Sequence, residues 1–339
     1  MQTVTEDTFV LPPVVHNAGG EVRKAGFEFE FSGVSLNVAA MHVRKVFGGE
    51  HVIRSTFVHA VRGTPFGEFS VEMDTTVLKD KTYEKPLRAL GYDTRRRDVK
   101  WIEAALLGTL GALVPAEVAT PPLPVTDLAP LDDLRRRFRA SGARGTRAAV
   151  LYAFGLHINP EIASDDPGYL LSVLRAFVLL YPWLKRRTEV DFARRVSPYI
   201  NPFPPEYVRL ILAPDYPPTR QRLIDDYLAH NPTRNRPLDM APVLAHLDRD
   251  RVHHRVQENH LVKPRPAFHY RLPNCMVDEP GWSVAAEWNT WVEVERLAAD
   301  ADRLAAMSRD YVRADDRSVR PFYDRWPQIL DGYMTGATG

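Results

Sequence analysis

Residues 25–32 read Ala25-Gly26-Phe27-Glu28-Phe29-Glu30-Phe31-Ser32, and the strict alternation of aromatic and acidic letters decides the fold class. A period of two is the period of a β-strand, so three phenylalanines share one side and two glutamates the other. The carboxylates at i and i+2 leave that side roughly 7 Å apart. A strand of this kind has to bury its aromatic side against other apolar groups, while its acidic side needs water or cations.

Working outward, residues 1–20 are polar, proline-containing and aperiodic, as an arm laid over a surface would be. After the strand, Leu36, Val38, Ala39, Val43 and Val46 stand near helical spacing over 35–47, and Gly48-Gly49 stops them. A hairpin is expected next, with strands over 52–62 and 66–78 joined through Gly63-Thr64-Pro65. Its second strand alternates Phe69, Val71 and Met73 with Ser70, Glu72 and Asp74. Residues 79–98 are charged and irregular, with Arg95-Arg96-Arg97 a solvated turn, and 99–114 suit a core-facing helix.

The short segment 116–120 ends at Pro121-Pro122, and Pro130 opens a helix in which Leu131, Leu134 and Phe138 repeat. Residues 148–159 are the next strand candidate, closing on Leu156-His157-Ile158-Asn159-Pro160. From 167 to 247 the pattern is helical but broken by prolines that include Pro182, Pro198, Pro202, Pro204, Pro205, Pro217 and Pro218, which suggests an irregular helical region or cap. Strand character returns at 267–272 and 282–288, and 292–314 reads as one amphipathic helix.

The chain of 339 residues has 44 basic and 43 acidic side chains, so no global field recruits nucleic acid or an anionic membrane. Cys275 is alone and the first twenty residues lack a signal-peptide pattern, which makes the cytoplasm the expected location. The apolar stretch 170–184 carries Arg175 and is shorter than the roughly 20 residues of a membrane span, so a buried helix is expected. There is no phosphate loop, dinucleotide fingerprint, paired Cys/His zinc spacing or Gly-x-Ser-x-Gly elbow.

Glu28, Glu30 and Asp74 fall on the polar sides of their strands, and carboxylates converging on one sheet face repel unless cations neutralise them. Oxygen-rich clusters of this kind suit Mg²⁺ or Mn²⁺. Taken singly, each pair equally suits a solvent-facing sheet surface, and a lone His157 suits a hydrogen-bonded core position.

Six segments in order change that weighing: 26–31; 69–77, Phe69 to Val77; Ala116-Glu117-Val118-Ala119-Thr120-Pro121-Pro122; Gly155-Leu156-His157-Ile158-Asn159; Tyr270-Arg271-Leu272-Pro273-Asn274; and Ala286-Glu287-Trp288-Asn289. Together, over roughly 23–297, they resemble the amidoligase family of the glutamine synthetase and glutamate-cysteine ligase (carboxylate-amine ligase) superfamily. The resemblance implies an α+β fold in which a curved, mainly antiparallel sheet has a concave acidic active-site face, with helices on its other face and an irregular helical region beside it. It implies Glu28, Glu30, Glu117, Glu287, Asp74 and His157 as metal ligands, and His157, Asn159, Arg271 and Asn274 at the nucleotide. Arg271, Asp74 and Asn289 would occupy catalytic positions. Asn289 departs from the family, which has an arginine there.

The implied organisation is an arm over 1–20, one catalytic domain over 21–315 with a helical cap at about 165–260, and a tail over 316–339. The implied activity is ATP-dependent amide-bond formation between a small-molecule or peptide carboxylate and an amine or ammonia, through an acyl phosphate, with Mg²⁺ or Mn²⁺. Residues 196–237, with Tyr199, Tyr207, Arg209 and Tyr216, are the candidate lid, with ordinary helical packing as the alternative. The Asn289 departure keeps open a catalytically silent nucleotide- or peptide-binding relative, and a metal-dependent small-molecule phosphotransferase is a third reading. The amphipathic helix over 292–314 leaves oligomerisation open.

Overall fold

Phe27, Phe29 and Phe31 are fully buried, whereas Glu28 and Glu30 are only partly covered, so the alternation of the opening strand persists in three dimensions. The structure, a computed structural model, describes residues 8–73, 116–146, 155–188, 200–216, 219–257, 259–316 and 325–335. The chain runs through β1 (Lys24–Phe31), α1 (Leu36–Phe47), β2 (Glu50–Ser55), β3 (Val58–Thr64), β4 (Gly67–Met73), β5 (Ala116–Ala119), β6 (Leu123–Pro124), α2 (Pro130–Ala140), β7 (Leu156–Pro160) and α3 (Pro167–Arg187). It continues through α4 (Pro205–Leu212), α5 (Arg220–His230), β8 (Leu238–Asp239), α6 (Ala241–Leu247), α7 (Arg249–His253), β9 (His269–Tyr270), α8 (Val284–Ala299), α9 (Ala301–Asp316) and α10 (Trp326–Thr335).

The described strands form one open sheet in the order β2-β3-β4-β5-β1-β7-β9-β8, with β6 beside the start of β1. Every pair in it runs antiparallel. Strand β1 is internal, paired with β5 on one side and β7 on the other. Helices cover its aromatic side: Phe31 stacks on Phe138 of α2 at 4.6 Å between ring centroids, and Phe27 meets Trp288 of α8 at 6.2 Å. Further along the sheet, Phe69 meets Phe47 of α1 at 4.6 Å and Tyr270 meets Trp291 of α8 at 5.4 Å. Each such fully buried ring contributes about 1.5–3 kcal/mol through burial. Helices therefore occupy the aromatic side, and the other side carries the partly covered carboxylates Glu28 and Glu30.

Several expectations are corrected. Residues 52–62 are two strands, because the chain turns at Thr56-Phe57, where Ser55 Oγ accepts the Phe57 amide at 3.3 Å. Residues 282–288 open helix α8 instead of a strand, since Ser283 caps the Ala286 amide at 3.1 Å and the buried Asp132 carboxylate accepts the Val284 amide at 2.9 Å and the Ala285 amide at 3.2 Å. The helix expected over 292–314 is two helices, broken where Asp300 turns to cap the Arg303 amide at 3.0 Å.

Pro182 does not break α3, whose buried Phe177, Leu179, Leu180 and Leu184 outweigh the roughly 3 kcal/mol that a helix-interior proline costs. With 21 residues, α3 is longer than its apolar stretch suggested and is, among the described residues, the one helix long and apolar enough to cross a membrane; 56% of its apolar window is buried. The presumed tail carries α10, anchored by Trp326, whose indole donates to the Leu179 carbonyl at 2.8 Å. Asp74, the turn at 95–97, the helix over 99–114 and the first part of the strand over 148–159 lie outside the described residues.

Candidate active site

The antiparallel registers build the acidic face residue by residue. Glu30 stands opposite Glu117 on β5, and Glu117 stands opposite Glu72 on β4, so three carboxylates form a row across adjacent strands. Directly opposed like charges on a sheet repel. Glu72 takes a hydrogen bond from Ser70 within its own strand, and Glu30 Oε2 accepts the Gly155 amide at 2.7 Å. Sequence alternation placed Glu28, Glu30 and Glu72 on polar strand faces, and the structure brings Glu117 among them.

On the other side of β1, Glu28 stands opposite His157. His157 Nδ1 donates to Glu28 Oε2 at 3.1 Å, and Asn159 Nδ2 donates to Glu28 Oε1 at 2.8 Å. His157 Nε2 lies 3.8 Å from Glu30 Oε1, so the imidazole stands between the two glutamates of the opening strand, bonded to Glu28 alone. Burial alone would raise the Glu28 carboxyl, but the His157 hydrogen bond and the positive field around it, Arg265 included, overcome it and hold the group well below the usual carboxylate range. Glu28 is therefore ionised at neutral pH.

Strands β9 and β8 add residues that the sequence motifs did not single out. Asp239 on β8 stands opposite His269 on β9, and the His269 ring meets His157 edge to face at 5.1 Å. Burial pushes His269 well below its ordinary value, against the field of Glu28, and so keeps it neutral. Arg265 Nη2 donates to Asn159 Oδ1 at 2.6 Å, and Arg271 Nη1 donates to the Arg234 carbonyl at 2.8 Å. The fully buried Asp239 has Arg234 Nε 3.5 Å from its Oδ2, close enough for charge pairing but not aligned as a hydrogen bond. Burial raises the Asp239 carboxyl in spite of Arg234 and Arg271. The missed signal was period two: Arg265, Ala267, His269 and Arg271 alternate with Pro266, Phe268 and Tyr270.

The remaining expected site residues lie elsewhere. Glu287 is in the first turn of α8, where Trp282 Nε1 donates to its Oε1 at 2.9 Å. Together with Asn274, Thr188, Glu279 and Thr290 it lines a separate cavity of about 270 Å³. Its neighbour Trp288 packs on Phe27, so the helix that carries Glu287 lies on the aromatic side of the sheet. Asn274 donates to the Thr188 carbonyl at 3.3 Å, and its backbone bridges to Gly155. Asn289 holds the N-terminal arm: it accepts the Val10 amide and donates to the Thr8 carbonyl, each at 2.8 Å. An arginine could not make the first of these bonds, having no acceptor. Within the lid candidate, Tyr207 is buried against Phe203 and Tyr227 and Tyr216 donates to Asp226, so these two side chains pack within the helical region; Arg209 pairs with Asp315. Tyr199 lies outside the described residues.

A family described as "putative amidoligase enzyme" matches residues 21–293, most of the chain and all of the face just described. The chain belongs to that amidoligase family. No curated protein and no solved structure matches it. For an amidoligase, the donor set is apt to hold divalent ions. Glu28, His157 and His269 offer ligand atoms within 4.8 Å of one another, and the row Glu30, Glu117, Glu72 supplies further oxygens on the same face. The guanidinium groups of Arg265 and Arg271 suit phosphate or carboxylate oxygens.

Proposed function

We propose that this amidoligase-family chain is an ATP-dependent carboxylate-amine ligase with a glutamine-synthetase-like catalytic sheet. The observation that carries the reading is one sheet face divided into a carboxylate row on β4, β5 and β1 and an imidazole and guanidinium half on β7 and around β9. A carboxylate is a poor electrophile, so joining it to an amine calls for activation. In the proposed first step a carboxylate oxygen bonds to the terminal phosphorus of ATP while the bond to ADP breaks, leaving an acyl phosphate. In the second, the neutral amine bonds to the acyl carbon, inorganic phosphate leaves, and the nitrogen loses a proton.

Divalent ions held by Glu28, Glu30, Glu117, Glu72 and His157 would offset the charge of the triphosphate and polarise its terminal phosphoryl group. Arg271, beside Asp239 and within the field of Glu30 and Glu28, would orient anionic oxygens of the phosphoryl group or the acid. Glu28 holds His157 by its Nδ1 and Asn159 by its amide, fixing both before any ligand arrives.

The silent-relative reading was motivated by Asn289 in place of an arginine. Its side chain has a different task in arm docking, while three arginines approach the acidic face from the β8–β9 region, which favours turnover. The test is ADP release from ATP with Mg²⁺ or Mn²⁺ over pooled acids and amines, with mass detection of products. An amide together with ADP is the expected result. ADP with a phosphorylated small molecule and no amide would replace the ligase by a phosphotransferase, and no ADP with any pool would favour the silent relative.

A further inference from the structure

The helix side of the sheet carries an open space that the acidic face does not account for. Val178, Pro182 and Lys185 recur at i, i+4 and i+7 along α3, so their side chains share one face of that helix. That face is one wall of a cleft of about 400 Å³, whose other walls include Phe203 and Val208, just before and within α4, and Tyr311 of α9. Such a volume falls in the roughly 300–1,000 Å³ range of small-molecule sites and is far more than close packing leaves empty. Pro182, Pro202, Pro205 and Pro327 all line it, and a ring closed onto its own backbone cannot swing inward to fill the space. The cleft stays open without an occupant.

The sheet separates this cleft from the acidic face. Phe177 of α3 packs on Tyr270 at 5.9 Å, and Tyr270 takes the opposite side of its strand from His269 and Arg271. The charge in the cleft is of one sign: among its described lining residues the charged ones are Lys185 and Arg186. Arg186 pairs with Asp331 of α10, whereas the half-buried Lys185 has no ion pair among the described residues. We propose that the cleft binds a small amphipathic monocarboxylic acid, its apolar body between the proline and aromatic walls and its carboxylate on the Lys185 ammonium. Burial of the body supplies affinity, and the uncompensated cation selects an acid over an alcohol or an amine. This is a second site, apart from the face on which the ligase chemistry is proposed.

The test is calorimetric titration of the full chain with octanoate, octan-1-ol and octyltrimethylammonium, which share one apolar body and differ in the charge of the head. One octanoate per chain is expected, bound at least about tenfold more tightly than the alcohol, with the cation weakest. Lys185→Met keeps an apolar stem and removes the charge, so octanoate should weaken about tenfold while octan-1-ol keeps its affinity. Val208→Phe puts a ring into the cleft and should abolish binding of both, with a urea midpoint no lower than that of the wild type. No octanoate binding at millimolar concentration, equal affinity for acid and alcohol, or an unchanged octanoate affinity in either variant overturns the proposal. If Val208→Phe fails to fold, the comparison of acid and alcohol in Lys185→Met decides alone. None of these titrations contains ATP or metal, so a failure here leaves the ligase reading standing, and a failure of amide formation leaves the acid site standing.

Discussion

The two halves of the polar face are built on different principles. On β4, β5 and β1, like charges are set opposite one another in a row, Glu72, Glu117 and Glu30, an arrangement that folding tolerates and a cation would relieve. On β7, β9 and β8, unlike groups interlock: Arg265 and His269 converge on Asn159, and Asn159 and His157 on Glu28. The first half stores repulsion for a ligand to release, and the second half spends hydrogen bonds to hold its groups still. The same substitution should therefore have opposite consequences in the two halves.

The largest expected effect is on turnover. Glu117→Gln should lower ADP release at least about a hundredfold, as the loss of one transition-state electrostatic contact of roughly 3–4 kcal/mol would do. In chelator the same variant should melt no lower than the wild type, because a repelling charge has gone. An unfolded metal-free variant, or full ADP release, would show that the row is structural.

Glu28→Gln should break the parallel. Its carboxylate accepts from both His157 and Asn159, and a glutamine amide turns a donor toward one of them, so the metal-free protein should lose about 1–3 kcal/mol in chemical denaturation. Equal metal-free stabilities of Glu28→Gln and Glu117→Gln would erase the distinction between the halves.

Acid should sharpen the contrast. His269 is held below its ordinary value, so the folded state disfavours its proton: this contribution to stability is present above about pH 6.5 and is lost as pH falls below it. Glu28 is also held low, so its contribution is present above the ordinary carboxylate range and is lost as pH falls through that range. The urea midpoint of the metal-free chain should fall in two stages from neutral pH to about pH 3, and the upper stage should shrink in His269→Gln, with His42 and His59, also held low by burial, supplying what is left. An upper stage of equal size in both proteins would remove His269 from the account.

The smallest effect belongs to the helix side. Asn289→Ala removes two bonds to the arm and should cost about 1 kcal/mol, with faster proteolysis near residue 10 and unchanged ADP release. A large loss of ADP release would return Asn289 to the catalytic centre.

The alternations Phe27-Glu28-Phe29-Glu30-Phe31 and Phe69-Ser70-Val71-Glu72-Met73 determined by themselves that the chain has strands with one apolar and one acidic side, since the pleat sends successive side chains to opposite faces. The family followed from six short segments in order, of which Glu28, Glu30, Glu117 and His157 do meet on one face. Glu287 and Asn289 fell to the helix side because Ser283 and Asp132 cap a helix start, and a cap formed from a residue 152 positions away leaves no local trace. His269, Arg265 and Asp239 reached the site only in three dimensions. The alternation over 265–271 assigns Arg265, His269 and Arg271 to one side but not to a neighbour, and β8 and β9, two residues each, hold their place because Leu238 pairs with Tyr270 and Ile158 pairs with Tyr270 across the sheet. Periodicity reports which side of a strand a residue takes; which strands become neighbours is decided by the registers and by the aromatic packing of Tyr270 against Trp291 and Phe177.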